Sequence, residues 1–225
     1  MLGDLPKIRR WHEPYFGRFL KHVNDRPQEL DRKSSFYARR HQSVWLDGLR
    51  QMFFRMVRDR YPQFGRHSLV VKEVNTPELY GWLRALFPTG RMILLVRDPF
   101  DVLDSYLDLQ KPGSWNTQFG DQSAPLSESN VQRTAEHIRS TTTLALAAFE
   151  EFPLEQRLKV SYEELLEDPV PHLVECSQLV GVDTSRDAAA VVADRHAFAR
   201  YRQTGELKFR RQGKAGGWRD SSNFT

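Results

Sequence analysis

The chain has 225 residues, 40% of them hydrophobic, which is enough for one well-packed core and fits one domain. Charged residues make up 28% and the net charge is +4, a balance that suits an anionic ligand without demanding nucleic acid. No apolar run approaches the roughly 18 residues of a membrane span, and no signal-peptide pattern opens the chain, so a cytoplasmic protein is the expectation. The single cysteine, Cys176, excludes an internal disulfide and any cysteine-built metal site, and its helical apolar surroundings make it a small core residue. The seven histidines show no metal-binding spacing, so no metal is expected.

Met1 to Pro6 is too short for an element of its own. In the following Trp11-His12-Glu13-Pro14 stretch, the proline biases Glu13 towards an extended backbone. Residues 24–37, with Pro27 and Ser34-Ser35, read as a loop. A long helix is expected over residues 38–61, where Trp45, Leu49, Met52, Phe53, Met56 and Val57 form an apolar stripe facing the core. Residues 68–73 read as a buried strand. Residues 77–87 read as a helix with Leu79, Trp82, Leu83 and Leu86 on one side.

The next unit organises the rest. Met92 to Val96 is a continuous apolar run flanked by charge, the pattern of a strand buried on both faces. Asp98 suits an N-cap and Pro99 the first helical position. Beyond them Val102, Leu103, Tyr106 and Leu107 recur at helical spacing, with Asp101, Asp104, Ser105 and Asp108 on the other face. Arg97 therefore stands at the carboxyl end of a strand, the edge where ligands bind in open α/β sheets, and its fork is shaped to grip a phosphate. An Arg in that position equally serves to cap a neighbouring carboxylate.

Residues 110–126 form a long loop rich in Gly, Pro, Ser and Gln that carries Trp115 and Phe119, in keeping with either an acceptor-binding lid or simple packing. A helix over residues 127–152 presents Val131, Ala135, Ile138, Thr142, Ala145 and Phe149 on one face. Residues 157–161 form a short strand, Tyr162 opens another helical segment, Gly181 ends the helix after Pro171, and Ser185 caps an alanine-rich helix reaching about Asp194. Strand and helix alternate at a spacing that argues for a parallel sheet with crossover helices. The strand-to-helix turns follow Glu73, Arg97 and Ser161, and none is glycine-rich. Between Arg195 and Arg219 stand eight Lys or Arg residues against one acid, Glu206, in a stretch whose glycines would let backbone amides approach a phosphate. A solvated basic tail is the plainer reading of the same residues.

Taken together, these stretches resemble the sulfotransferases that use 3′-phosphoadenosine 5′-phosphosulfate (PAPS). In that family a strand-ending Arg and a Ser eight residues later bind the nucleotide's 3′-phosphate, the spacing of Arg97 and Ser105. Arg211-Gln212-Gly213 with Gly216 and Trp218 is similar to the family's C-terminal Arg-Lys-Gly loop over the same phosphate, with Gln212 in place of the usual Lys. Val160-Ser-Tyr162-Glu163-Glu164 looks like the stretch whose Tyr contacts the adenine. Lys72 precedes Arg97 by 25 residues, as a catalytic Lys does in the Golgi tyrosylprotein sulfotransferases and their bacterial relatives. Glu13-Pro14 resembles a Glu-Pro pair in carbohydrate sulfotransferases, where the Glu can be the base; His12 is the alternative base.

The resemblance implies an α/β fold with a parallel sheet flanked by helices, like the P-loop NTPases. It also implies PAPS as sulfuryl donor without a metal, and a small-molecule, carbohydrate or peptide acceptor. Lys72 would stabilise the bridging oxygen while Glu13 or His12 takes the acceptor's proton. The family's Gly-rich loop for the 5′-phosphosulfate has no counterpart here. Residues 1–225 accordingly read as a single sulfotransferase-like domain lacking its first strand, incomplete at the N-terminus and short at the C-terminus. A non-catalytic nucleotide-binding remnant and a basic nucleic-acid-binding domain are the competing readings, the latter disfavoured by the buried-strand pattern.

Overall fold

The computed structural model describes residues 1–19, 22–23, 41–73, 80–114, 127–197, 215–221 and 223. Among the described residues, four short strands carry the architecture. β1 (Ile8–His12) runs parallel to β2 (Ser68–Lys72), with Ile8 opposite Ser68 and His12 opposite Lys72. β3 (Met92–Val96) runs parallel to β4 (Arg157–Ser161), with Val96 opposite Ser161. The expected α/β fold with parallel strands and helices is present, but among the described residues the strands form two parallel pairs, each strand with one hydrogen-bonded neighbour. This also corrects the expectation of a doubly buried β3. The strand is paired along one edge, and Leu95 is 54% exposed.

β1 itself was not anticipated, because Ile-Arg-Arg-Trp-His has neither an apolar run nor clean alternation. Tertiary contacts make it a strand. Ile8 is fully buried, Trp11 stacks on Phe53 at 5.8 Å between centroids, and the Tyr61 hydroxyl donates to the Arg10 carbonyl at 2.6 Å. Before it, Leu2–Asp4 is a 3₁₀ turn.

Helices cover the strands. α1 (Gln42–Arg60) packs Phe53 and Val57 with Phe16 and Leu86 in an aromatic-rich cluster. Trp45 and Met56, expected in its apolar stripe, are exposed at 45% and 37%. α2 (Tyr80–Leu86) buries Leu86; Leu79 and the Trp82 side chain lie outside the described residues. α3 (Pro99–Leu109) starts where Asp98 accepts hydrogen bonds from the N–H groups of Phe100 at 2.8 Å and Asp101 at 3.3 Å. Its Leu103 and Leu107 pack against Ile138 of α4 (Glu128–Glu150), which Ser127 caps. The expected loop over residues 24–37 and most of that over 110–126, Trp115 and Phe119 included, lie outside the described residues.

α5 (Tyr162–Glu167) follows β4 directly, and α6 (Pro169–Leu179) starts two residues before Pro171 because Pro169 already suits a first helical turn. Gly181, at φ +77°, turns the chain after α6, a conformation that costs glycine little. α7 (Arg186–Arg195) is capped by the Ser185 hydroxyl, which accepts from the Ala188 N–H at 3.2 Å. Leu5 and Ile8 join Leu173, Val182, Ala189 and Val192 in one cluster, so the start of the chain is pinned against α6 and α7. Cys176 is buried as expected, and burial pushes its thiol up to about 11. No described helix is long and apolar enough to cross a membrane.

Candidate functional site

Because each pair is parallel and in register, the carboxyl ends of its strands lie side by side, and the polar residues gather there. At the end of β1 and β2 stand His12, Glu13, Lys72 and Glu73. At the end of β3 and β4 stand Arg97, Asp98, Tyr162 and Glu163.

In the first group, Glu13 does not take the extended backbone expected before a proline. Its φ is +48°, and that of Tyr15 is +52°. Left-handed backbone at non-glycine residues is costly and persists only where surroundings enforce it. Here the Glu13 N–H donates to the Lys72 carbonyl at 2.8 Å, and its carboxylate accepts a hydrogen bond from the Lys72 ammonium. That bond is the main reason the Glu13 carboxyl lies below its usual range. Burial opposes it, while the Lys72 and His12 charges and a hydrogen bond to Tyr15 reinforce it. His12 Nε2 is 3.8 Å from the Glu13 carboxylate. The turn leads into a helical turn at Phe16, whose N–H, at 2.9 Å, and that of Gly17, at 3.4 Å, both donate to Glu73 Oε1. This is a fourth strand-to-helix turn, beyond the three read from sequence.

In the second group, the Arg97 guanidinium lies over the Tyr162 ring, 4.7 Å from its centroid. Its Nη2 is 3.7 Å from Asp101 Oδ2, close enough for attraction but too long for a hydrogen bond. Its Nε is buried with no hydrogen-bond partner among the described residues. Glu163 braces the turn, accepting from the Asp98 N–H and the Ser161 hydroxyl at 2.9 Å each. Burial pushes the Glu163 carboxyl up, but the bonds from Asp98, its own N–H and Ser161, with the Arg97 charge, outweigh that and hold it below the ordinary range. Ser105 is half-buried on α3, eight residues past Arg97.

The structure therefore joins Glu13, His12 and Lys72 in one cluster and Arg97 with Tyr162 in another. Arg211, Gln212 and Gly213 lie outside the described residues. Just beyond them the chain is fixed by Asp101, which is 2% exposed and accepts the N–H of Gly216 at 2.8 Å and of Trp218 at 3.1 Å. The Trp218 ring sits 4.9 Å from that of Phe100. Sequence reading placed Asp101 on the helix face opposite the apolar one and gave it no role. Its spacing, four residues beyond Arg97, was the available signal. Glu73 and Glu163 were likewise unassigned roles beside assigned neighbours.

Chemically, the second cluster offers a cation with an unmet buried donor beside an aromatic face, a grip for a phosphate-type anion. The first offers a carboxylate and an ammonium able to exchange a proton and balance charge.

The sequence matches the sulfotransferase family over residues 4–186. No match was found among curated proteins. Similarity in part extends to solved structures, of which two serve as examples. One, described as a sulfotransferase domain from the curacin biosynthetic pathway, is 20% identical with a TM-score of 0.46, covering 62% of this chain and 46% of its own. The other, retinol dehydratase in complex with androsterone and inactive cofactor PAP, is 17% identical with a TM-score of 0.41, covering 69% and 48%. The chain spans about half the length of these structures.

Proposed function

The chain belongs to the sulfotransferase family, and from that premise we propose that it binds PAPS and moves its sulfuryl group to an acceptor hydroxyl or amine. The observation that carries this reading is Arg97. A guanidinium stacked on Tyr162, with a buried Nε lacking an acceptor among the described residues, is a donor suited to an anion. Arg97 and Ser105 hold the 3′-phosphate, and the Arg211–Gln212–Gly213 stretch adds cations and amides to it. Tyr162 gives one ring face to Arg97 and borders the adenine. The donor, when bound, supplies the sulfuryl group and carries the leaving phosphate.

On the other strand pair, Lys72 neutralises charge on the leaving oxygen, and Glu13 takes the acceptor's proton, with His12 as the alternative base. The low basicity of Glu13 while Lys72 holds it means that the ammonium must turn away before the carboxylate works. The acceptor is a small molecule, carbohydrate or peptide, and no nucleic acid is involved.

One observation favours a second reading, a nucleotide-binding relative without turnover. The amides of Phe16 and Gly17, which could receive an anion at a helix start, are taken by the protein's own Glu73. Calorimetry with adenosine 3′,5′-bisphosphate and AMP, paired with a transfer assay using radiolabelled donor on phenols, sugars and peptides, separates the cases. Preference for the bisphosphate with transfer is the expected result. Preference without transfer selects the second reading, and equal affinity for both ligands overturns the nucleotide site altogether.

A further inference from the structure

Asp101 stands out as a charge in the wrong place. A carboxylate 3.7 Å from Arg97 weakens the pull of that cation on any anion, so its burial there calls for another purpose. Its partners supply one. Oδ2 accepts the Gly216 N–H and faces Arg97, while Oδ1 accepts the Trp218 N–H. Gly216, at φ +69°, enters a 3₁₀ turn over Gly217–Asp220, and this bend turns both amides towards one carboxylate. The next acids on the same face of α3 continue the attachment. Asp104 accepts from the Ser221 hydroxyl and, at 2.7 Å, from the Asn223 amide, which also donates to Asp108 at 2.9 Å. This strapped segment lies beyond the residues matched by the family.

We propose that Asp101 is a positioning residue that couples the C-terminal segment to Arg97, so that an anion gripped by Arg97 and the placement of residues 216–218 depend on one shared carboxylate. The inference rests on the nucleotide-binding reading above. Two features separate it from simple tethering. Asp101 alone of the three acids also faces Arg97, and its distance from Nη2 leaves the guanidinium's hydrogen bonds for another oxyanion. A ligand phosphate that draws Arg97 towards itself relieves Asp101 of its cation and strengthens its hold on the Gly216 and Trp218 amides. Only ligands with a phosphate at Arg97 then tighten the segment.

The test compares the full chain with Asp101→Asn and Asp104→Asn, using calorimetry with adenosine 3′,5′-bisphosphate and AMP, and hydrogen exchange over residues 215–221. The amide variant keeps one acceptor and loses the charge. With the charge gone Arg97 is freer for a phosphate, so the preference for the bisphosphate is kept or raised, while the slowing of exchange that the bisphosphate brings over residues 215–221 is lost. Asp104→Asn is expected to speed exchange in the segment yet keep that slowing, because it does not face Arg97. In the unaltered chain the bisphosphate slows exchange over 215–221 and AMP does not, a measurement that stands even if Asp101→Asn fails to fold. Slowing by the bisphosphate retained in Asp101→Asn overturns the proposal. So does an equal loss of that slowing in Asp104→Asn, which would reduce Asp101 to a tether, or equal slowing by both ligands. An unaltered chain with no preference at all would instead overturn the nucleotide reading beneath it.

Discussion

Replacing Arg97 by alanine should separate ligand grip from fold stability. Among the described residues the guanidinium makes no hydrogen bond through its Nε, and its Asp101 contact is a 3.7 Å ion pair, so little intramolecular bonding is lost. Its main internal contact is the Tyr162 ring at 4.7 Å, worth about 0.5–1 kcal/mol for a partly exposed pair. Asp101 keeps both of its backbone donors after the change. The stability loss should therefore be about 1 kcal/mol, a fall in Tm of about 2–4 °C for a chain of this size. The grip on a 3′-phosphate, by contrast, loses a charge-assisted contact of about 1.5–3 kcal/mol, or about 10- to 150-fold in affinity. Arg97→Lys should recover only part of this, since an ammonium neither forks nor stacks as well. Ser105→Ala should cost about 0.5–1.5 kcal/mol. Calorimetry with adenosine 3′,5′-bisphosphate and with AMP reads the affinities, and thermal unfolding reads the stability. If Arg97→Ala weakened the two ligands equally, or cost stability while sparing the bisphosphate, the assignment of Arg97 would be wrong.

In a form that turns over, Glu13→Gln should keep nucleotide binding and lose about 10²- to 10⁴-fold in rate, measured with radiolabelled donor; survival of the rate together with its loss in His12→Ala would make His12 the base. Lys72→Met should raise the Glu13 carboxyl back towards its ordinary range, followed by NMR titration. The pair's stabilisation, about 0.2–1 kcal/mol for so exposed a contact, is present at neutral pH and lost as pH falls through the lowered Glu13 carboxyl, so the variant should show less acid destabilisation. Glu163→Ala leaves the Asp98 N–H without its acceptor and should cost about 1–3 kcal/mol in urea unfolding at neutral pH. Because the Glu163 carboxyl is also lowered, that deficit should shrink as pH falls below the carboxylate range and the native protein loses the same contribution.

The β3–α3 unit was legible because three independent signals agree within a few residues: an apolar run, an N-capping aspartate and a proline at the first helical position. Ser185 was legible for the same local reason, since a hydroxyl cap acts within three residues of itself. β1 was not. Two arginines and a histidine hide a strand that exists through its pairing with β2 and the Tyr61 bond to Arg10, both long-range. The left-handed Glu13 was hidden likewise, because its cause sits at Lys72, 59 residues away. In the site, residue types with one conventional role were read, and acids serving other residues were not. Asp101, Glu73 and Glu163 act by accepting N–H groups, which leaves no trace in composition.

Those acids also bear on whether the protein is a catalyst or only a binder. Among the described residues, three groups suited to an anionic donor already face an internal carboxylate: Lys72 faces Glu13, Arg97 faces Asp101, and the Phe16 and Gly17 amides face Glu73. The three are not equally hard to displace. Lys72–Glu13 is tight, but its ammonium side chain is 56% exposed, and an ion pair so wetted holds by only about 0.2–1 kcal/mol. A charged donor phosphate can outcompete that, so the pairing of the expected catalytic groups is no obstacle to turnover. Arg97 is looser still. Glu73 is different, because one carboxylate oxygen accepts from two backbone amides, and charge-assisted bonds of this kind are roughly twice as strong as neutral ones. The balance between transfer and mere binding therefore turns on Glu73 more than on the ion pair. Freeing the two amides with Glu73→Ala should favour anion binding at that helix start if the donor's reacting end uses it. If the variant gains no affinity for PAPS over adenosine 3′,5′-bisphosphate, the phosphosulfate does not seat there.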